Sequence, residues 1–257
     1  QCIDSVRART DYPDYEILVI DNQSDDPAAL EYLRQLEASG EARVVPYDAP
    51  FNYAAINNFA VEQASGEHLC FMNNDIEVIH GGWLGEMVSQ AARPEIGAVG
   101  ARLLYPDGRL QHGGVITGLG GVAGHAMKYL PGEGKGYNGR AVLVQNYSAV
   151  TAACMVVRRA VFEEAGGFDA ENLGVAFNDV DLCLRIREQG YRNLWTPHAE
   201  LYHHESATRG AENTAAKQAR FSAEIDYMKA RWGPGLLRDP AYNPNLTLDR
   251  EDFSLDW

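Results

Sequence analysis

A chain of 257 residues with 46% hydrophobic and 23% charged side chains can bury a substantial α/β core without disulfides or metal, so a single domain is the default. Its formal net charge of -14 excludes a protein that grips nucleic acid, because neutralising phosphates takes clustered Lys and Arg and no basic run is present. Cys2, Cys70, Cys154 and Cys183 show no paired metal spacing, and no apolar run reaches the roughly 20 residues that cross a bilayer. These features predict reduced thiols and a cytoplasmic protein, with peripheral contact at the inner face of the membrane as its one possible membrane association.

QCIDSVRART reads as the second half of a helix with no strand before it, and the start at Gln1 implies a fragment of something longer. EILVID is a compact apolar run of the kind that forms a buried parallel strand, and it runs into the polar loop DNQSDD. Residues 27–39 follow as a helix, with Asp25 or Asp26 as N-cap, Pro27 in the first turn and Gly40 closing it. ARVVPY is the next strand, 54–64 a helix ended by Ser65-Gly66, and HLCFM a third strand entering Asn73-Asn74-Asp75. Such alternation predicts a parallel sheet covered by helices on both faces, whose ligands sit at the carboxyl ends of strands, where DNQSDD and NNDIE fall.

Residues 83–92 read as a helix, and IGAVGARLLY as a strand followed by the turn YPDG and a second strand through GGVIT. Glycines are frequent over 113–139, which predicts a long lid or binding loop. SAVTAACMVVRR is then a strand, AVFEEAG a helix, and NDVDLCLRIREQG a helix starting at Asn178 or Asp179. Two short strands around NLW and ELYHH, a helix over 214–232 and a surface-wrapping tail after Pro234 complete the chain.

Polar clusters stand where strands end: DNQSDD, FMNNDIEV, FNDVDLCLR and ELYHHES. By residue type alone, Asp21 is a loop-capping aspartate, Asn73-Asn74-Asp75 an Asx turn, Asn58 a surface asparagine and Asp179 a helix N-cap. His203 and His204 are adjacent on a strand and point to opposite faces, so at most one of them can serve a metal. His112 and His125 suit either an acceptor cleft or an ordinary loop.

Five stretches in order, DYEILVIDNQSDD, FNYAAINNFAVEQASGEHLCFMNNDIEV, GAVGARLLYPDGRLQHGGV, AFNDVDLCLRIREQGYRNLWTP and ELYHHESATRG, run through nearly the whole chain. Together they resemble the family 2 glycosyltransferases with the GT-A fold, and among these the rhamnosyltransferase-like enzymes of bacterial surface polysaccharide synthesis. The resemblance implies an α/β fold: a GT-A-type, Rossmann-like, mostly parallel sheet with helices on both faces and a small antiparallel acceptor-side sheet. It implies one domain, with residues 1–100 as the nucleotide-sugar half, 101–210 as the acceptor and catalytic half, and 211–257 as a C-terminal helix and tail. The family's first strand would lie upstream of Gln1.

The implied activity is inverting transfer of a sugar from a nucleotide diphosphate sugar to a saccharide or lipid-linked glycan, assisted by a divalent cation, Mn or Mg. Asp21 matches the family aspartate at the nucleobase, and Asn58 a position that faces the nucleotide. Asn73 would touch the ribose, or the metal through water, in a motif that keeps only the last acid of the family's Asp-x-Asp. Asp75 and His203 would hold the metal, and Asp179 would be the catalytic base. Asn178 stands where family members often carry a second acid, and Asp181 is expected to be structural. With Asn73 and Asn178 in place of acids, the alternative is a non-catalytic nucleotide-sugar or glycan binding domain. A metallohydrolase using His203, His204 and Glu205 with nearby aspartates fits less well, because no HExxH or comparable spacing is present.

Overall fold

The computed structural model describes residues 1–205 and 214–256. Residues 206–210, the end of the ELYHHESATRG stretch, lie outside the described residues. The first third alternates as the apolar periodicity predicts: α1 (Cys2–Arg9), β1 (Leu18–Asp21), α2 (Pro27–Ala38), β2 (Arg43–Pro46), α3 (Tyr53–Gln63) and β3 (His68–Met72). The Asp26 side chain accepts from the Ala28 and Ala29 amides, with Pro27 at the first helical position where its missing N–H costs nothing. Asn52 caps α3 in the same way, accepting from the Ala55 amide.

Next come β4 (Ile76–Val78), α4 (Trp83–Ala91), β5 (Ile96–Leu104), β6 (Leu110–His112), β7 (Val115–Thr117), β8 (Ala123–His125), β9 (Gln145–Tyr147) and β10 (Cys154–Arg158). The chain continues through α5 (Arg159–Glu164), α6 (Asn178–Glu188), β11 (Arg192–His203) and α7 (Ala215–Trp232). A seven-stranded sheet has the order β3-β10-β5-β11-β4, with β6 added on β5 and β9 on β11. β3, β5 and β11 share one direction, because β10 is antiparallel to both β3 and β5 while β11 is parallel to β5. β1 and β2 form a separate parallel pair. Among the described residues β1 and β3 each have a strand partner on one side only.

β5 is buried along its whole length, which explains a run that is apolar but for Arg102, whose buried guanidinium pairs with Glu200. Val99, Ala101 and Leu103 enter the core cluster beneath α4 with Trp83 and Met87, whereas Ala98 and Leu104 enter the larger cluster with Phe71, Phe162 and Trp195. This split is the period-two alternation of a strand with both faces covered.

Three elements differ from expectation. Residues 113–139 are not all loop, since Ala123–His125 folds back on Val115–Thr117. Gly118, Gly120 and Gly121, all at positive φ, make the reversal between the two strands, so part of the glycine content serves a hairpin turn. NLW and ELYHH belong to one strand, β11, whose register on β5 shifts between Trp195 and Glu200. Pro197, which has no N–H to give a ladder, sits in that break. Finally, the strand read from SAVTAACMVVRR starts only at Cys154, which leaves Thr151 to Ala153 as a bend at the head of the sheet.

Candidate active site

The pairing of β4 with the end of β11 sets His203 opposite Ile76, and so beside Asp75. The His204 amide donates to the Asp75 carbonyl at 2.9 Å and fixes that register. His203 Nε2 lies 3.1 Å from Asp75 Oδ1, and both side chains are nearly buried, at 11% and 12% exposed. As the strand geometry requires, His204 turns the other way, with Nε2 3.0 Å from Glu77 Oε2.

The tautomer of His203 follows from its neighbours. Glu205 accepts from Gln111 Nε2 at 3.0 Å, and a carboxylate can only accept, so the amide oxygen of Gln111 must face the other way. That oxygen is 2.6 Å from His203 Nδ1, which therefore donates. In the neutral ring Nε2 then carries its lone pair, aimed at a carboxylate oxygen and 3.4 Å from Asn73 Nδ2. A lone pair and a carboxylate oxygen at 3.1 Å repel unless a proton or a cation sits between them. Held by its other nitrogen, an imidazole beside a carboxylate has the arrangement of a metal ligand with outer-shell support, so these residues fit a divalent cation. Among the described residues no group of three or more His, Cys, Asp or Glu side chains converges, so a cation here would take its remaining ligands from substrate and water.

Asn73, Gln111, His125, Thr151, Asp179 and His203 line one cavity. Asp179 reaches it from the first turn of α6, where the N-cap is Phe177 at φ 58 and not an Asn or Asp. Asp179 Oδ2 accepts from the Ala152 amide at 3.0 Å and Oδ1 from the Val180 amide at 2.8 Å. Asn178 is buried, and its Nδ2 donates to the Val175 carbonyl at 2.9 Å. Placement at a helix start alone would favour the ionised carboxylate, but burial outweighs it. Burial raises the Asp179 carboxyl above its ordinary value, against the downward pull of Ala152, Thr151 and Val180.

The other expected residues lie outside this cavity. Asp21 ends β1, and its Oδ1 accepts from the Ser24 amide at 3.0 Å in its own loop. Both ends of the Asn58 amide bind the backbone of Phe168, accepting from N at 2.9 Å and donating to O at 2.8 Å, so Asn58 braces α3 against the turn that follows α5. Asp181 is fully buried against Arg185 and Trp232, as expected of a structural acid. Sequence reasoning passed over Gln111 and weighed Glu205 only as a ligand of the disfavoured metallohydrolase. The one available signal was a glutamine inside a short strand with no exposed position, since a buried amide needs dedicated partners.

The class is set by the fold, which is GT-A. The chain superposes with a TM-score of 0.61 on the mannosyltransferase PcManGT of Pyrobaculum calidifontis, solved in complex with GDP-Man and Mn2+, over 91% of this chain and 62% of that one at 18% identity. The family follows from sequence: residues 1–166, more than half of the chain, match glycosyl transferase family 2, and the chain belongs to that family. Over 254 residues it is 55% identical to the uncharacterized protein y4gI of Sinorhizobium fredii and 45% identical to the O-antigen biosynthesis protein RfbC of Myxococcus xanthus. Each alignment covers 98% of this chain but only 28% and 20% of those relatives, so the chain spans about a quarter of their length. Among the described residues no helix is long and apolar enough to cross a membrane.

Proposed function

We propose that this domain is the catalytic module of an inverting glycosyltransferase that moves a sugar from a nucleotide diphosphate sugar to a saccharide or lipid-linked glycan. The observation that carries the reading is the Asp75–His203 pair, its tautomer set by Gln111, beside a cavity that Asp179 also lines. Asp75 and His203 would hold Mn or Mg, and the imidazole suits Mn better. A divalent cation held by these two residues would supply charge neutralisation for the leaving diphosphate, and would reconcile an acidic protein with an anionic donor.

Asp179 is the base that takes the proton of the acceptor hydroxyl as its oxygen attacks the anomeric carbon. The Ala152 and Val180 amides fix both carboxylate oxygens, so the base is aimed before the acceptor arrives. Attack opposite the departing diphosphate inverts the anomeric centre, and no covalent enzyme intermediate is required. Asn73 serves the ribose, or the cation through water, and Asp21 the nucleobase, its Oδ1 held by the Ser24 amide. Asn58 enters this reading as a brace for the Phe168 turn.

Residues 1–100 carry the donor half, 101–210 the acceptor half, and the C-terminal helix and tail close the fold. With a lipid-linked acceptor the reaction takes place at the cytoplasmic face of the membrane.

Calorimetric titration of UDP, dTDP and GDP, with and without Mn2+, tests the donor site. One nucleotide binds only with metal, and Asp75→Ala weakens it by at least about tenfold, the scale on which a metal ligand or its support matters. Metal-independent binding, or binding unchanged by Asp75→Ala, overturns the assignment.

A further inference from the structure

At the end of β11 remote from His203 the molecule carries a second cavity, of about 460 Å³, which shares no lining residue with the first. β9 pairs with the first residues of β11, Tyr147 opposite Asn193 and Asn146 opposite Leu194, whereas His203 is the last residue of that strand. Arg140, Arg187 and Arg192 all line this second cavity, and no Asp or Glu does. In a chain with 36 acids to 22 bases, three guanidiniums around one space run against the general balance of charge. Among the described residues only Arg192 of the three has a carboxylate in ion-pair range, Glu95 at 3.3 Å. The acid behind the cavity wall, Asp239, is occupied by other groups. Its Oδ1 accepts from Ser148 Oγ at 2.5 Å and from the Ala241 amide at 2.8 Å, and its Oδ2 from the Thr117 amide at 2.8 Å.

Arg140 and Arg187 are held in place without being neutralised. The Arg140 guanidinium lies over the rings of Tyr147 and Phe253, 5.4 Å and 5.3 Å from their centroids, and Arg187 Nη1 donates to Ser148 Oγ at 2.9 Å. Tyr147 is 2% exposed and its ring packs on Gly114, where a Cβ would come within 2.4 Å of it, so only a glycine leaves room for the ring. Aromatic contacts hold a guanidinium through its faces and leave its edge N–H groups for an acceptor. Arg140 Nε and the Tyr147 hydroxyl are buried and, among the described residues, have no hydrogen-bond partner. Burial raises the Tyr147 hydroxyl above its ordinary value, with the Arg140 charge opposing, so it keeps its proton and remains a donor. Buried donors without an acceptor cost the fold free energy, and an anion that supplies the acceptor removes that cost.

We propose that this cavity binds a phosphoryl group at a site separate from the donor cavity, with Arg140 and Arg187 as its anchors and Tyr147 as a further donor. A phosphoryl group has three acceptor oxygens and up to two negative charges. That matches two uncompensated guanidinium forks and a hydroxyl better than a carboxylate does, with its two oxygens and single charge. The volume suits a phosphorylated molecule of monosaccharide size. Val142, Leu143 and Val144 are exposed and join Arg140 to Gln145, which also lines the cavity, so a lipid head group is a second source of the same phosphoryl chemistry. The site uses none of the residues assigned to metal, base or nucleotide, and it stands whether or not the donor reading does.

The test titrates inorganic phosphate and glucose 6-phosphate into the intact chain by calorimetry, in EDTA and without nucleotide, and follows the arginine Nε–H resonances by NMR. Sedimentation with phosphatidylcholine vesicles, with and without phosphatidic acid, is measured in parallel. The wild-type chain binds at least one of the phosphoryl probes with a Kd of about 1 mM or below. The Arg140 Nε–H resonance, assigned by its loss in Arg140→Gln, shifts on binding. Arg140→Gln and Arg187→Gln each weaken binding at least about tenfold, the scale of one charge-assisted contact. Tyr147→Phe removes a hydroxyl that no protein group holds, so it weakens binding while the urea midpoint does not fall, which separates a ligand contact from a folding defect. Binding of the soluble probes alone assigns the site to a free phosphorylated molecule, and sedimentation that needs both phosphatidic acid and Arg140 assigns it to a lipid head group. No binding of any probe by the wild-type chain, or binding of wild-type strength in Arg140→Gln and Tyr147→Phe, overturns the site.

Discussion

A carboxylate that is to take a proton from a sugar hydroxyl must be ionised at neutral pH and still hold a proton better than a solvated aspartate does. The Ala152 and Val180 amides pull the Asp179 carboxyl toward the first demand and burial pushes it toward the second, and burial is the larger effect. Its neighbour Asn178 is an amide, so no adjacent carboxylate contributes to the upward push. The sign for activity follows: the ionised form is the active one, so turnover holds a plateau above the raised value and falls as pH drops through it. The acid limb of the kcat/KM profile should therefore lie above the pH at which an exposed aspartate ionises. Asp179→Asn, which keeps shape but cannot take the proton, should lower kcat by about 10²–10⁴. An acid limb at the ordinary aspartate value, or a loss of less than tenfold, would remove Asp179 from the role of base.

Elements were legible where one local rule decides them, and contacts were not. The Asp26-Pro27 start of α2 and the largely apolar run of β5 could be read directly, because a cap and an apolar run need only neighbours in sequence. The hairpin partner β8 and the continuity of β11 past Pro197 were not legible, because both depend on pairing with strands elsewhere in the chain. The same reason hid the Gln111–Glu205 support of His203, whose members lie 92 residues (Gln111 to His203) and 94 residues (Gln111 to Glu205) apart. Glu224 on α7 is a further case. It is only 2% exposed, and its Oε1 accepts from the Val175 amide at 2.8 Å and the Ala176 amide at 3.2 Å, holding the turn that leads into Phe177 and Asp179. Glu224→Ala leaves two amides to find new partners and should cost about 1.5–3 kcal/mol, the range for hydrogen bonds to a charged group. Urea unfolding reads that cost, and kcat should fall with it as the base loses its aim. Glu224→Gln keeps the carbonyl acceptor and should recover most of both. If Gln behaves like Ala, the two amides are not what Glu224 contributes.

The whole molecule is unevenly built, and the unevenness falls where a donor would bind. β5 has nine buried residues at the centre of the seven-stranded sheet, while β1 has four half-buried residues and, among the described residues, pairs only with β2, whose ends are exposed. Opening free energies within one fold range from near zero at such margins to the global value in the core. Amides of 18–21 should accordingly exchange at least about 100-fold faster than those of 98–103. A ligand that binds only the closed state adds its own binding free energy to the protection of whatever it closes. If Asp21 at the end of β1 meets the nucleobase while Asp75 and His203 hold the diphosphate through a cation, saturating nucleotide with Mn2+ should slow exchange in β1 and leave β5 unchanged. Mn2+ alone should not protect β1, because the ligands proposed for the cation lie after β3 and at the end of β11. Protection of β1 by metal without nucleotide would mean that the marginal sheet responds to charge neutralisation of an acidic protein. No protection by either would separate Asp21 from the donor site and leave its carboxylate as the cap of its own loop.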